Sequence, residues 1–413
     1  GTEVAAEFIA NVGAGVVRTK AARVKDTLAP YAAAVMASRP LRSAVLARQL
    51  RLMAEIPGVR LTARLTRMNL ETGAAALVLD VQYRSVTASL ALDSRGDVRG
   101  LPLQPYLTLQ ANDLLGAGDQ FSLTGLLSPV PKDAYFLQFG ASTGIGDGWR
   151  VGANGFVAKA RADGVPSGID LSSDQMRGEL QVSDPFIRTQ DRQLTLTGGS
   201  YFSGTIYDLN HLRIAQDRYL ATYAQLTDVR IFSPQFQASF NLRATTGFAF
   251  STALPHSRAN SSKDFGRLGL GAAFSYAPTS AFSILLRADG QLASGSLMAG
   301  EEDVYGGERF GRGYQGGMLS GDEGLGLSLQ PQYRFSLMPD WDAAAYLFGD
   351  YAHVVNTRGD GQGNAGLASA GIGFTVMRGG YVAGLGIAEP LKRVPGYAYR
   401  LTPRLFGTLR ARL

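Results

Sequence analysis

From residue 86 onward, apolar and polar side chains alternate along the chain. The clearest case is 236–250, where Phe240 lies on an apolar face and Arg243 on the opposite, polar face. A period of two is typical of β-strands, because successive side chains point to opposite faces of a sheet. The same pattern recurs over 325–335. Such long two-faced strands predict a membrane β-barrel with an apolar exterior and a polar interior.

The connections between these strands alternate in length. Short turns are expected at 234–235, 278–279 and 339–340, and longer loops rich in Gly, Ser and Asp at 162–173, 252–264 and 294–323. Short turns on one side and long loops on the other are typical of outer-membrane barrels. At about 20 residues per strand and connection, the chain after residue 85 holds about 16 strands.

The predicted fold is therefore mostly β. It is an antiparallel transmembrane β-barrel of about 16 strands over residues 86–413, closed by a last strand at 405–413. So wide a barrel encloses an aqueous channel unless a segment plugs it. We expect the longest loop, at about 294–323, to fold inward.

The first 85 residues follow a different pattern. Apolar residues at helical spacing predict a helix over 19–36, with Val24 and Leu28 on one face. A second helix is expected to start at Pro40, whose fixed φ suits a first helical turn, and to stop before 57–58. Strands are expected at 7–12, 59–68 and 74–83. The order β-α-α-β-β predicts a small α/β domain over residues 1–85.

The composition is compatible with a barrel and argues against several other classes of protein. The longest apolar run is far shorter than the roughly 18 residues that a transmembrane helix needs. The net charge is +6, but the arginines are scattered at alternate strand positions, which favours a charged lumen over a nucleic-acid-binding face. Because the chain has no cysteine, disulfide and thiol chemistry is excluded.

Motifs for catalysis or cofactor binding are weak. Gly140-Ala141-Ser142-Thr143-Gly144 has the letters of a nucleophile elbow, but that elbow needs a helix after the turn, and a hairpin is expected here. The three histidines do not have metal-ligand spacing, and no phosphate-binding loop occurs in the sequence. We therefore predict a protein that is not an enzyme and holds no cofactor and no metal.

The most specific signal lies in the long loop. It contains Gly311-Arg312-Gly313-Tyr314, followed by Ser320-Gly321-Asp322-Glu323-Gly324. Glycines allow backbone angles closed to other residues, so this loop can fold tightly and present one arginine and one tyrosine at its tip.

The loop, the strands and the N-terminal elements together resemble the two-partner secretion transporter (TpsB) family, of the hemolysin/hemagglutinin secretion-activation type. This family belongs to the superfamily of POTRA-bearing outer-membrane barrels. In it, an extracellular loop folds back into the barrel and carries a V-R-G-Y/F tetrad and an S-G-D-x-G motif. Only the first position of the tetrad departs, with glycine at 311. The resemblance implies a loop motif formed by Gly311, Arg312, Gly313, Tyr314, Ser320, Gly321 and Asp322.

The family also has an F-x-D-x-G motif on the second strand after the loop. Phe348-Gly349-Asp350-Tyr351-Ala352 is similar to it, with alanine in place of the last glycine. The resemblance implies that Phe348 and Asp350 are the barrel-wall partners of the loop, with a bidentate Arg312–Asp350 pair holding it inward. From the residues alone, Arg312 could equally be an ordinary turn arginine and Asp350 a lumen carboxylate without a partner.

Two further segments are similar to the family, one at 112–119 in the first hairpins and one at 184–188 before a strand. The N-terminal domain resembles a POTRA domain. The family usually has two of these after a plug helix, and one is visible here. A POTRA domain offers an open sheet edge on which an extended client segment can add as a strand. The alternative is a periplasmic spacer that binds no ligand.

The resemblance implies an outer-membrane translocation pore of Gram-negative bacteria. The N-terminal domain, in the periplasm, would capture a secreted exoprotein, expected to be β-helical, and the barrel would export it across the outer membrane. The expected partners are this exoprotein client and outer-membrane lipid, with no nucleic acid, and the expected state is a monomer. Two alternatives stay open: an outer-membrane protein assembly/insertion factor of the same superfamily and, from another class, a passive diffusion porin.

Overall fold

The structure is a computed structural model. It describes residues 4–10, 18–67, 75–94, 103–126, 134–161, 169–258, 260–357, 363–395 and 402–412. The predicted turn at 71–73 and residues 162–168 of a predicted loop lie outside the described residues, as do the last residues of the predicted strands 7–12 and 405–413.

The N-terminal elements follow the predicted order. They are β1 (Val4–Ala10), α1 (Arg18–Ala37), α2 (Ser43–Ala54), β2 (Val59–Arg67) and β3 (Ala75–Tyr83). In the three-stranded sheet, β3 is central, with β1 parallel and β2 antiparallel to it.

The second helix begins later than the sequence predicted. It starts at Ser43 and not at Pro40, because Arg42 is still extended, with φ −89° and ψ 129°. The Oγ of Ser38 accepts the Arg42 amide at 3.1 Å and so holds the chain before the helix.

The two helices cover one face of this small sheet with a single apolar core. The predicted apolar face of α1 is the buried one. The core is formed by Val24, Leu28, Ala32 and Val35 of α1, Met53 of α2 and Leu77, Leu79 and Val81 of β3. Burying each of the Val, Leu and Met side chains contributes about 1.5–3 kcal/mol relative to leaving it exposed.

The remainder of the described chain is built of strands. They are β4 (Val86–Asp93), β5 (Gln104–Asn112), β6 (Gln120–Leu126), β7 (Tyr135–Gly146), β8 (Trp149–Arg161), β9 (Leu171–Arg188), β10 (Arg192–Leu209), β11 (Leu212–Ser233), β12 (Phe236–Ala249), β13 (Asp264–Tyr276), β14 (Phe282–Ala293), β15 (Asp303–Tyr305), β16 (Leu319–Gly321), β17 (Glu323–Met338), β18 (Trp341–Val355), β19 (Ala365–Arg378), β20 (Tyr381–Pro390) and β21 (Arg404–Arg412).

Within the described residues, all of these strands except β15 and β16 form one closed antiparallel barrel of 16 strands. The predicted barrel is thereby confirmed. Each strand pairs with its neighbour in sequence, apart from β14, which pairs with β17. The last strand, β21, pairs with β4 and closes the barrel, with Thr408 opposite Asp93. The two short strands, β15 and β16, pair with each other inside the long loop.

The predicted apolar exterior is seen along β17. Leu325, Leu327 and Leu329 are 46%, 39% and 49% exposed, whereas the intervening Ser328 is 3% exposed. A row of exposed leucines is unfavourable in water and favourable against lipid. No helix among the described residues has the length and apolar character to cross a membrane.

The connections have the predicted lengths where the structure describes them. The turns at 234–235 and 339–340 are short, while 250–263 and 294–322 are long. The longest connection joins β14 to β17 and carries the β15–β16 hairpin.

Candidate functional site

The long loop, residues 294–322, contains the β15–β16 hairpin. Residues 306–318 connect these two short strands and form a tip rich in turns. The backbone of the tip closes on itself. The amide of Gly306 donates to the carbonyl of Phe310 at 2.8 Å, and the amide of Tyr314 donates to that of Gly311 at 2.9 Å. The tip therefore has a defined shape that can hold side chains in fixed directions.

Gly311 has a backbone conformation that favours glycine. Its φ is +100°, and a Cβ at this position would lie 2.6 Å from Cδ1 of Leu367 on β19. A larger residue would need both a strained backbone and a displaced leucine. Glycine at the departing first position of the tetrad is thus the residue that this tip accommodates.

Arg312, the next residue, is bound by Asp350 of β18. Its backbone amide and its Nε both donate to Asp350 Oδ2 at 3.0 Å, and its Nη2 donates to Oδ1 at 2.8 Å. The Ser328 hydroxyl also donates to Oδ1, at 2.8 Å. The Arg312 side chain is 6% exposed and that of Asp350 is 0% exposed. Asp350 therefore binds the backbone of the tip as well as the guanidinium.

Other groups of the wall surround the Arg312 guanidinium. Its Nη1 donates to Gln330 at 2.7 Å and its Nη2 to Ser328 at 3.1 Å. Its carbon lies 3.6 Å from the centroid of the Phe348 ring, a cation–π arrangement. Ser328 and Gln330 alternate with the exposed Leu329, so these contacts are made with the inward, polar face of β17.

Tyr314 and Gly313 bring the tip against β19 and the end of β20. The Tyr314 hydroxyl lies 2.8 Å from the carbonyl oxygen of Ala368 and 2.6 Å from that of Lys392, and it accepts the Lys392 amide at 3.1 Å. At Gly313 a Cβ would lie 3.0 Å from the Cβ of Ser369. The tip therefore lies so close to the wall that a side chain at residue 313 would clash with it, the backbone nitrogen of Pro390 being 2.9 Å from the same Cβ position.

The second predicted motif makes a different set of contacts. Asp322 accepts hydrogen bonds from Arg258 Nη1 at 2.5 Å, the Leu297 amide at 2.7 Å, and the amide and hydroxyl of Thr357, both at 2.9 Å. Its side chain is 0% exposed. Asp322 thus joins three connections of the barrel, 250–263, the long loop and the segment after β18.

The ionised form of Asp322 is favoured by these partners. Burial raises the pKa of its carboxyl, but the hydrogen bonds from Arg258, the Leu297 amide and Thr357 together outweigh burial. The pKa of Asp322 therefore lies below its ordinary value.

Ser320 and Gly321 belong to the β15–β16 hairpin. The Ser320 hydroxyl donates to Glu302 at 3.3 Å, and a Cβ at Gly321 would lie 2.7 Å from the Cβ of Val354. The structure therefore brings Arg312, Phe348 and Asp350 together and places Asp322 in a separate cluster.

Sequence reasoning missed several residues of these clusters. Ser328 and Gln330 lie on the predicted polar face of 325–335, but no pattern linked them to the loop. Arg258 lies in the predicted loop 252–264 without any motif around it. Only the fold reveals that it faces Asp322, which is 64 residues away in the sequence.

The family-like segment 112–119 lies against the N-terminal elements. The hydroxyl of Thr27 on α1 donates to Asp113 Oδ2 at 3.0 Å, and Asp113 Oδ1 accepts the Gly118 amide at 2.9 Å. The hydroxyl of Tyr83 at the end of β3 donates to the Asn112 carbonyl. This turn of the barrel is therefore tied to both the first helix and the last strand of the small sheet.

The family-like segment 184–188 lies against α2. Arg48 Nη1 donates to the carbonyl of Pro185 at 2.9 Å. Arg188 Nε lies 2.7 Å from Glu55 Oε1. Both family-like segments thus contact the N-terminal elements, a role that the sequence did not suggest.

The chamber beside the tip is charged. A cavity of about 740 Å³ is bordered by strands β11–β14 and by the loop, and its lining includes Arg243, Arg287, Asp289, Asp303 and Arg309. In the part of the chain that the structure describes, no group of three or more His, Asp or Glu residues could hold a metal ion. The charged residues around this cavity come from both the loop and the wall.

Known structures have the same fold. CdiB from Escherichia coli aligns with a TM-score of 0.78 and 17% identity, over 100% of this chain and 77% of that one. CdiB from Acinetobacter baumannii aligns with a TM-score of 0.66 and 15% identity, over 88% and 67% of the two chains. BamA from Haemophilus ducreyi lacking POTRA domains 1–3 aligns with a TM-score of 0.61 and 12% identity, over 100% of this chain and 85% of that one.

Sequence comparisons identify the family. No curated protein matches the sequence significantly. The model of the haemolysin secretion/activation protein ShlB/FhaC/HecB family, in contrast, matches residues 73–376, which is well over half of the chain. The chain therefore belongs to the ShlB/FhaC/HecB family and is an outer-membrane transporter of two-partner secretion that serves a secreted exoprotein.

Proposed function

We propose that residues 1–85 form a POTRA domain in the periplasm that captures the exoprotein by strand addition. The element order and the helix-covered sheet support this assignment. In the described residues, β1 and β2 each pair only with β3, so each leaves an outer backbone edge in the sheet. An extended client segment would add to such an edge through main-chain hydrogen bonds.

Site-specific photo-crosslinking tests this capture step. A photoreactive amino acid at Thr62, exposed on β2, is expected to crosslink to the secreted exoprotein partner when the two are co-expressed. The same amino acid at Lys25, exposed on α1, is the matched control. Equal crosslinking at both positions would argue against addition at the β2 edge.

The long loop is proposed to close the lumen at rest, with the Arg312–Asp350 contact holding it there. The observation that carries this proposal is that the main chain and side chain of Arg312 both bind a carboxylate buried on the inward face of the wall. Removing one partner of a buried ion pair typically costs about 3–5 kcal/mol, because the other charge is left unpaired. Loss of either partner should therefore release the tip.

Single-channel recording in planar lipid bilayers with KCl tests the gate. The Arg312→Ala variant is expected to show larger or longer openings than the parent. Arg309→Ala is the matched control, since Arg309 lies in the same tip and its side chain is 73% exposed. A conductance of Arg312→Ala that equals that of the parent would rule out this gate.

The client is further proposed to be β-helical and to draw itself outward by folding at the cell surface. Such a source of free energy fits a sequence without a phosphate-binding loop.

The exposed leucines of β17 are proposed to contact outer-membrane lipid. One chain is proposed to act as a monomer, because its strands close a barrel without a second copy. Light scattering of the purified protein in detergent would give the mass of one chain if this is right, and a multiple of it if not.

A further inference from the structure

We propose that Glu301 is a second positioning residue of the long loop. It anchors the loop base, defined as residues 294–302 together with Asp322, to strands β10 and β13 of the wall, whereas Asp350 lies on β18. Opening would then displace the tip while the base stays in place. This inference rests on the proposed gate and adds how the gate moves.

Glu301 is enclosed by partners from three strands. Its side chain is 0% exposed. The hydroxyl of Tyr201 on β10 lies 2.8 Å from each carboxylate oxygen, and Nε of Arg267 on β13 lies 2.7 Å from Oε2. Gln291 of β14 donates to the Glu301 carbonyl at 2.9 Å. A carboxylate with a cation and a phenol in a buried site is expected to be held firmly.

Apolar contacts fix the same segment. Leu297 and Met298 are both 0% exposed. They pack in one cluster with Tyr201, Tyr219, Tyr223 and Phe265 on the inner wall. The base is therefore held by burial of apolar surface as well as by charge.

The two ends of the loop meet at this base. Gln291 Nε2 donates to the carbonyls of both Glu301 and Asp322, at 2.9 and 3.0 Å. Asp322 in turn accepts the Leu297 amide at 2.7 Å. Both stems of the β15–β16 hairpin thus start from one anchored point.

The tip is bound elsewhere on the wall. Tyr201 lies on β10 and Asp350 on β18, and five strands separate β10 from β18 in the barrel order. Releasing the tip breaks the Arg312 and Tyr314 contacts and a buried apolar cluster between the loop and the wall, whereas releasing the base breaks two buried carboxylate sites and an aromatic cluster. In Arg312→Ala the tip loses its buried ion pair while the contacts of the base are kept, so we expect the tip to move first and to carry the hairpin with it.

Hydrogen–deuterium exchange of the full chain in detergent tests this order without any client. In Arg312→Ala, the amides of 306–318 should exchange about tenfold faster or more, while those of 295–302 keep the parent's rates. Faster exchange in both segments would overturn the anchored base. The exchange rates test the anchored base independently of the proposed gate. If the conductance of Arg312→Ala equals that of the parent, the proposed gate is wrong, but the exchange rates still show whether the base stays in place.

The role of Glu301 itself is tested in the same way. Glu301→Gln keeps the shape but removes the charge facing Arg267, so the amides of 295–302 should exchange about tenfold faster. Glu308→Gln is the matched control, because Glu308 lies in the same loop, is half exposed and faces Arg410 at 3.6 Å. Unchanged exchange of the base in Glu301→Gln would refute its positioning role.

A disulfide across the base provides an independent test. A Cβ at Gly295 would lie 4.0 Å from the Cβ of Ser262, within the range for a disulfide, and the chain has no other cysteine. Gly295→Cys/Ser262→Cys in the Arg312→Ala background should show the same conductance oxidised and reduced, because the base does not need to move. If oxidation abolishes the Arg312→Ala phenotype and a reductant restores it, the base must move and the inference is wrong.

Discussion

The backbone amide and the guanidinium of Arg312 bind the same carboxylate, that of Asp350. The amide–Oδ2 distance of 3.0 Å is set by the path of the tip, whereas the side-chain bonds depend on the arginine itself. Asp350 thus ties the fold of the tip to the wall, and changing the two partners need not have equal effects. Arg312→Ala keeps the amide bond, while Asp350→Ala loses every bond of the contact.

Arg312→Lys should weaken the tip although it keeps the charge. A lysine ammonium is a point donor and cannot reach Asp350, Ser328 and Gln330 in the planar arrangement that the guanidinium makes. We expect a loss of about 1.5–3 kcal/mol in docking of the tip. A double-mutant cycle of Arg312→Lys with Asp350→Asn, read by amide exchange of 306–318, measures the coupling. Arg309→Lys is the control, and additive effects in the cycle would contradict a direct pair.

Gly311→Ala should destabilise the docked tip by about 1–3 kcal/mol, since strained φ and overpacking each cost this order of free energy. Leu367→Ala should rescue the part that is due to the 2.6 Å contact and leave the part that is due to the φ of +100°. Gly317→Ala is the matched control, because Gly317 also has a positive φ, +72°, but its Cβ would have 3.9 Å of space. Protease resistance of the tip is the measurement. Equal losses for Gly311→Ala and Gly317→Ala would show that the contact with Leu367 is unimportant.

The alternation of side chains was sufficient to predict the barrel, because a strand between lipid and water must repeat every two residues. The two helices of the first 85 residues were also predicted from the spacing of their apolar residues, although the second begins at Ser43 and not at Pro40. The pairing of residues across the lumen could not be predicted, since nothing local in the sequence links Asp322 to Arg258 or to Thr357. The Arg312–Asp350 contact was expected only through the family resemblance. No pattern in the sequence indicated a role for Glu301. Such contacts depend on how the loop crosses the barrel, which strand periodicity does not determine.

Acid should loosen the loop base through Asp322. The folded-state pKa of Asp322 lies below its ordinary value of about 3.9, so its contribution to stability is fully present above that value and is lost as the pH falls through the folded pKa. Amide protection of 294–302 should therefore be constant near neutral pH and decline below about pH 4.

Asp322→Asn should remove this decline while lowering protection at neutral pH, because Arg258 then faces a neutral amide in place of the carboxylate at residue 322. Asp340→Asn, in the short turn between β17 and β18, is the control and should behave as the parent does. The same acid decline in Asp322→Asn would assign the transition to another group.

Arg188→Ala should loosen the attachment of the N-terminal elements to the barrel. The Arg188 side chain is 8% exposed and binds Glu55 at 2.7 Å, the Thr195 hydroxyl at 2.8 Å and the carbonyl of Ile187 at 3.0 Å. Losing hydrogen bonds to a buried charge costs about 1.5–3 kcal/mol. Glu55→Ala should cost only about 1 kcal/mol or less, because the Glu55 side chain is 40% exposed and water replaces part of the contact.

Distances between spin labels at Lys25→Cys and Asp340→Cys would measure this effect, since the chain contains no other cysteine. The distance distribution should broaden in both Arg188→Ala and Glu55→Ala, because both remove the Arg188–Glu55 contact between the N-terminal elements and the barrel. Arg39→Ala is the control, because Arg39 lies between α1 and α2 and donates to the Met36 carbonyl within the same domain. A distribution in Arg188→Ala as narrow as that of the parent would mean that the contacts at Asp113 and Pro185 hold the domain without Arg188.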